Sequence, residues 1–90
     1  MTKIFINNSK YDRNHFAAID IINVEKDEEI RVDSYTRESL DGNDHEAMAY
    51  VIDEAIFQAS DCATWDQRGL VVRVYKNGML YIEIHADVMR

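Results

Sequence analysis

The sequence predicts a two-layer α+β domain, with an antiparallel sheet of about five strands packed on one main helix in the order β-β-β-α-β-β. Three observations carry this reading. β-branched runs alternate with charged turns through the first forty residues, and from about Asp44 to Ala63 the apolar period becomes helical. After that, Leu70-Val71-Val72-Arg73-Val74-Tyr75 and Met79-Leu80-Tyr81-Ile82-Glu83-Ile84 flank Lys76-Asn77-Gly78, which reads as a hairpin. Ninety residues with three glycines and no proline make a single domain, 1–90, with little material for linkers.

Lys3 to Asn7 reads as the first strand, with Ile4 and Ile6 on one face. A polar connection through Lys10 and Arg13 leads to His15–Val24, where Ile19, Ile21, Ile22 and Val24 favour a strand buried on both faces. Glu25-Lys26-Asp27-Glu28-Glu29 is too charged for a core and makes a turn. Glu29 to Thr36 then alternates, Ile30 and Val32 against Arg31 and Asp33. Asp41-Gly42-Asn43-Asp44 supplies capping side chains for the helix. At roughly 100° per residue, Met48, Val51, Ile52, Ala55, Ile56, Ala59 and Cys62 form its core stripe.

In the hairpin, a two-residue Asn-Gly loop in unbroken register sets Val72 opposite Glu83 and mixes the faces. A three-residue loop with Gly78 left-handed pairs Val72 with Ile82 and Arg73 with Tyr81. That register puts Leu70, Val72, Val74, Leu80, Ile82 and Ile84 on the core side.

No apolar run approaches the roughly 18 residues that cross a bilayer, and the first residues lack a signal peptide's apolar segment. Cys62, the only cysteine, forms no internal disulfide and falls on the apolar stripe, as a small core residue does. These features point to a reducing cytoplasm. There is no glycine-rich phosphate loop, paired-cysteine site or nucleophile motif, so the reading assigns no catalytic residue and no cofactor. His15, His45 and His85 fall on different elements without ligand spacing, and no metal site is assigned.

Net charge is −7 and the pI about 4.7, which disfavours direct contact with nucleic acid or anionic membrane. The charge is unevenly spread. Between Arg37 and Arg68 thirty positions carry no lysine or arginine and eight acids: Glu38, Asp41, Asp44, Glu46, Asp53, Glu54, Asp61 and Asp66. The rest of the chain carries ten basic residues and nine acidic ones. On a helical wheel Glu46, Tyr50, Asp53, Glu54, Phe57 and Asp61 share an arc of about 100° opposite the core stripe. A solvent face normally interleaves Glu with Lys, and this one holds acids alone. Two aromatics among carboxylates form the pattern of an interface for a basic partner.

Two resemblances bear on function. Ile4-Phe5-Ile6-Asn7-Asn8-Ser9, two further strands and a helix opening Asp44-His45-Glu46-Ala47-Met48 resemble the first half of an RNase H-like fold. In that family an aspartate ends the first strand, a glutamate lies on the helix and another aspartate on strand four, together holding two divalent ions. Here those positions are Asn7, Glu46, and Tyr75 or Lys76, so the resemblance implies topology without the two-metal chemistry.

In size, acidity and strand order the whole chain also resembles phage-encoded anti-CRISPR proteins, a group sharing no residue motif. That resemblance implies a non-enzymatic inhibitor in the host cytoplasm. Its partner would be a nucleic-acid-binding protein or CRISPR effector complex, bound through a basic surface by mimicry of nucleic acid. The resemblance transfers no residue, and the contact face expected from the helical wheel is Glu46, Tyr50, Asp53, Glu54, Phe57 and Asp61. The alternative is a homodimeric structural or assembly module, and the third reading a degenerate RNase H-like nuclease.

Overall fold

The computed structural model describes the backbone of residues 3–6, 10–61 and 69–86, and side chains within 10–58 and 69–85. The elements are β1 (Lys3–Ile6), β2 (Ala17–Asn23), β3 (Glu28–Tyr35), a single 3-10 turn (Arg37–Ser39), α1 (Asp44–Asp61), β4 (Leu70–Lys76) and β5 (Met79–Ala86). They make an α+β fold of one α-helix and one sheet, with strands side by side as β1-β3-β2-β4-β5.

The expectation of a wholly antiparallel five-stranded sheet is corrected. The antiparallel part has four strands, β3-β2-β4-β5, and the strand order across it does not follow the chain. β1 joins the edge parallel to β3, Phe5 lying level with Ile30. The cause is the route from β1 to β2. Residues 10–16 cross one face of the sheet instead of turning tightly, so β1 and β2 cannot be hairpin neighbours. The Asp12 amide donates to Ser34 Oγ (2.9 Å) on β3, and the Asn77 amide, beyond β4, donates to the His15 carbonyl (3.0 Å).

β2 occupies the centre, and Ala17, Ala18, Ile19, Asp20 and Ile21 are all at 0% exposure. From Ala17 to Ile21 the strand is thus buried on both faces, α1 covering one and residues 10–16 lying over the other, whereas Ile22 is half-buried and Val24, expected in the same buried run, stands 61% exposed in the turn that follows. The charged stretch divides, Val24–Asp27 forming the turn with Asp27 left-handed (φ 53°), and Glu28 and Glu29 entering β3. In β3, Arg31 pairs with Asp20 and Asp33 with Ile19, which leaves Val32 as the extra residue of a bulge.

The hairpin register is also corrected. Lys76 pairs with Met79 across a two-residue turn in which Asn77 (φ 52°) and Gly78 (φ 87°) are both left-handed, the combination a type I′ turn requires. A bulge at Tyr81 then moves the register on by one, so Val74 pairs with Ile82, Val72 with Ile84 and Arg73 with Glu83. The bulge removes the mixing of faces that made a longer loop attractive. Leu70, Val72 and Val74 are fully buried, with Ile82 and Ile84 packed beside them. Leu80, opposite Tyr75 and before the bulge, is 52% exposed and lies outside that set.

α1 lies on β4 and β2. Ala47, Met48, Val51 and Ala55 are buried, whereas Ile52 is half-buried and Ile56 is 47% exposed. Relative to the expected stripe the helix is therefore rolled by about 50° toward Ala47 and Glu54. The small side chains of Ala47 and Ala55 let that flank approach the sheet. The expected burial of Cys62 and the side chain of Ala59 lies outside the described residues.

Val72→Asp is predicted to destabilise the fold by on the order of 4 kcal/mol, because it buries an unpaired charge at a position of zero exposure. Ile56→Ser, on the supposed stripe, should cost under about 1 kcal/mol. Urea unfolding of both variants measures the contrast, and equal losses would contradict the rolled helix.

Candidate partner-binding face

The start of α1 is built from a reciprocal cap. The Glu46 amide donates to Asn43 Oδ1 (2.9 Å), and the Asn43 amide donates to Glu46 Oε1 (3.3 Å). A Cβ at Gly42, whose φ is 92°, would come within 2.6 Å of Glu46 Oε1. Glu46 is exposed, but its carboxylate is turned into the cap. Asp44 is engaged too: Arg37 Nε lies 3.0 Å from its Oδ1, and the same guanidinium donates to the carbonyls of Leu40 (3.3 Å) and Gly42 (3.0 Å). The first turn of the acidic helix thus has internal compensation that the run of acids conceals.

Farther along, the helix differs. Phe57 is 62% exposed and Tyr50 50% exposed, with Asp53 open to solvent between them and Glu54 half-buried on the rolled flank. Asp53 and Glu54 have no ion pair among the described residues. Asp61 ends the helix, and its side chain lies outside the described residues. The last turn holds no basic residue. Of the six expected contact residues, Tyr50, Asp53 and Phe57 form the open centre, Glu54 borders it and Glu46 belongs to the cap.

Tyr50 has a further neighbour. Its ring meets that of Tyr35, at the end of β3, edge to face, with centroids 6.1 Å apart and planes at 80°. The two rings, with Ser39, Leu40, Asp41 and Ala47, line an open groove of about 340 Å³ between the helix and the 3-10 turn. Burial, together with the charges of Asp33 and Glu54, pushes the Tyr35 phenol well above its ordinary range, so it stays protonated. Tyr35, Ser39 and Asp41 were not among the expected site residues. The available signal was an aromatic closing an alternating strand immediately before a polar turn.

On the opposite face of the sheet a second constellation surrounds Asp20. Its carboxylate accepts from the Tyr11 hydroxyl and from Arg13, while Arg13 Nη2 also lies 3.2 Å from Glu29 Oε2. Arg13 stacks over the Tyr75 ring (4.7 Å to the centroid) and Arg31 over Tyr11 (5.7 Å). Arg31 and Arg73 are the cross-strand neighbours of Asp20. The sequence signal for this cluster was a single carboxylate inside a β-branched run. Two acids, Asp20 and Glu29, facing three cations, Arg13, Arg31 and Arg73, make a structural network that Tyr11 closes over. Among the described residues no group of three or more His, Cys, Asp or Glu is arranged to hold a metal ion. No helix there is long and apolar enough to cross a membrane.

Burial raises the pKa of Glu29, and its hydrogen bond and repulsion with Asp20 add to the rise; Arg13 and Arg31 oppose it without cancelling it. A carboxyl whose pKa is raised by folding favours the fold while protonated. Its contribution is lost as pH climbs from the ordinary value of 4.5 through the folded one. Glu29→Gln is therefore predicted to flatten the pH dependence of stability above that value and to stabilise the chain near neutrality. Denaturant midpoints measured across this window check it, and parallel profiles for parent and variant would contradict it.

No family model, curated protein or solved structure matches the chain.

Proposed function

We propose that the chain is a non-enzymatic inhibitor that docks on a basic surface of a cytoplasmic nucleic-acid-handling protein or complex. The observation that carries this reading is the exposure of Phe57 and Tyr50 around Asp53, in a stretch with no lysine or arginine from 38 to 67. Large exposed rings supply area to be buried, and the surrounding carboxylates attract and orient a cationic partner. Carboxylates presented where such a partner receives phosphates act as a nucleic-acid mimic, the mode of an anti-CRISPR-like inhibitor. Asp53, Glu54, Phe57 and Tyr50 are the principal contacts. Glu46 and Asp61 extend the charge toward the two ends of the helix.

One observation favours a homodimeric assembly module as the second reading. β5 is an outer strand, and Met79, Leu80 and Tyr81 at its start are all exposed. Sedimentation at several concentrations separates the readings, because only the module requires self-association.

Replacing Asp53, Glu54 and Asp61 by Asn, Gln and Asn is predicted to leave the melting temperature unchanged or slightly higher, since it relieves mutual repulsion. Toward a partner captured from a bacterial lysate, the same change should slow association and flatten its salt dependence. Phe57→Ala should also fold normally but speed dissociation, as removal of a desolvated anchor does. If both variants bind the captured partner like the parent, the helix face is not the functional surface.

The reading also predicts that pure protein cleaves neither RNA, DNA nor their hybrid with magnesium or manganese. Cleavage that disappears in Glu46→Gln would overturn it in favour of a nuclease.

A further inference from the structure

We infer that the groove between Tyr35 and Tyr50 is the pocket in which an arginine side chain of the basic partner is held. This inference rests on the partner-binding reading above and names the group that would be recognised. The groove adjoins the proposed face directly, because Tyr50 belongs to both.

Its walls match the two halves of an arginine. Leu40 and Ala47 are buried and give an apolar floor against which a methylene stem can lie. The rings of Tyr35 and Tyr50, nearly perpendicular to each other, line the groove and give it aromatic surface for a planar cation. Ser39 and Asp41 stand at the polar rim, and Asp41 is exposed, with no ion pair among the described residues. Asp33 and Glu54 also act on Tyr35 with negative charge.

The sign of the occupant follows from the neighbouring charges. The nearby cation, Arg37, is held by Asp44, Leu40 and Gly42 and stacks over Phe16 at 5.3 Å, so it does not neutralise the groove. An anion is repelled by Asp41 and Glu54, and a neutral apolar group leaves the rim carboxylate unused. A guanidinium satisfies both the rings and the acid. An ammonium stacks less well on phenol faces and lacks the planar fork that spans rim and ring. The volume of about 340 Å³ admits the whole side chain instead of its tip alone.

The test is a titration of the full-length, isotope-labelled protein with three short peptides identical except for one position type: arginine, lysine or the neutral isostere citrulline. The arginine peptide should shift the amide resonances of Ser39, Leu40, Asp41 and Ala47 saturably, with the lysine peptide weaker and the citrulline peptide silent. Asp41→Asn, at an exposed position with no packing role, should weaken binding by about three- to fivefold, and Tyr50→Ala by a similar factor. Retention of the parent's melting temperature identifies variants that report on binding.

Equal response to arginine and citrulline, or equal affinity for arginine and lysine, overturns the assignment to a guanidinium. Shifts confined to Asp53 and Phe57, with the groove silent, overturn the groove while leaving the helix-face reading intact. Silence at both sites counts against both.

Discussion

The carboxylate of Asp20 sits at zero exposure in the middle of the central strand, and an ionised group there is tolerable only with partners within reach. Its own strand offers none, because its neighbours along β2 are Ile19 and Ile21. Arg31 and Arg73 flank it on the adjoining strands, and the direct partners, Tyr11 and Arg13, come from a segment that must lie across the sheet face to meet it. That requirement propagates. With residues 10–16 laid over β3 and β2, β1 is left at the outer edge beside β3, and β2 is covered on both faces. The segment ends against the β4–β5 turn, where Asn14 comes so near that a Cβ at Gly78 would lie 2.6 Å from its Oδ1. One buried charge thus links the sheet order, the two-sided core and the choice of glycine in a distant turn.

What could be read from the sequence follows the same logic. Periodicity located every described strand and the α-helix to within a residue or two, though not the 3-10 turn, since β2, α1 and the β4–β5 pair depend on local pattern and on turn residues. The arrangement of strands was not legible, because the bond that decides it joins Tyr11 to Asp20 across a face and leaves no period. The register of β5 failed for a related reason. A bulge at Tyr81 costs one residue of register and conceals a two-residue turn as a three-residue one. The helix wheel matched the exposure of Glu46, Tyr50, Asp53 and Phe57 but not the half-burial of Glu54, and it set the wrong centre for the buried face. Hydropathy ranks Ile56 above Ala47, whereas close approach to the sheet favours Ala47.

The roll of the helix changes the character of the candidate face. It brings Glu54 partly under cover and exposes Ile56, so the open surface is more apolar and less densely charged than the wheel implied. Two of the acids, Asp44 and Glu46, are already used to start the helix, where negative charge is favourable to the dipole and to the unpaired amides. Among the described side chains of α1, the acids with neither an ion pair nor a part in the cap are Asp53 and Glu54, midway along the helix and beside the exposed rings.

Position in the fold also separates stability from recognition. The core is held by β2, β4 and the Ala47–Ala55 flank of α1, all at or near zero exposure. Phe57 and Asp53 project from the opposite side of the same helix and contribute little to that packing. Tyr50 and Tyr35 stand between the two regimes, each in contact with the other at the margin where β3 gives way to the 3-10 turn. A ring pair placed there is oriented by the fold without being consumed by it. The partly desolvated Tyr35 phenol, under the charges of Asp33 and Glu54, remains protonated. The edge of the core, more than the acidic run that first attracts notice, is where this chain combines rigidity with access.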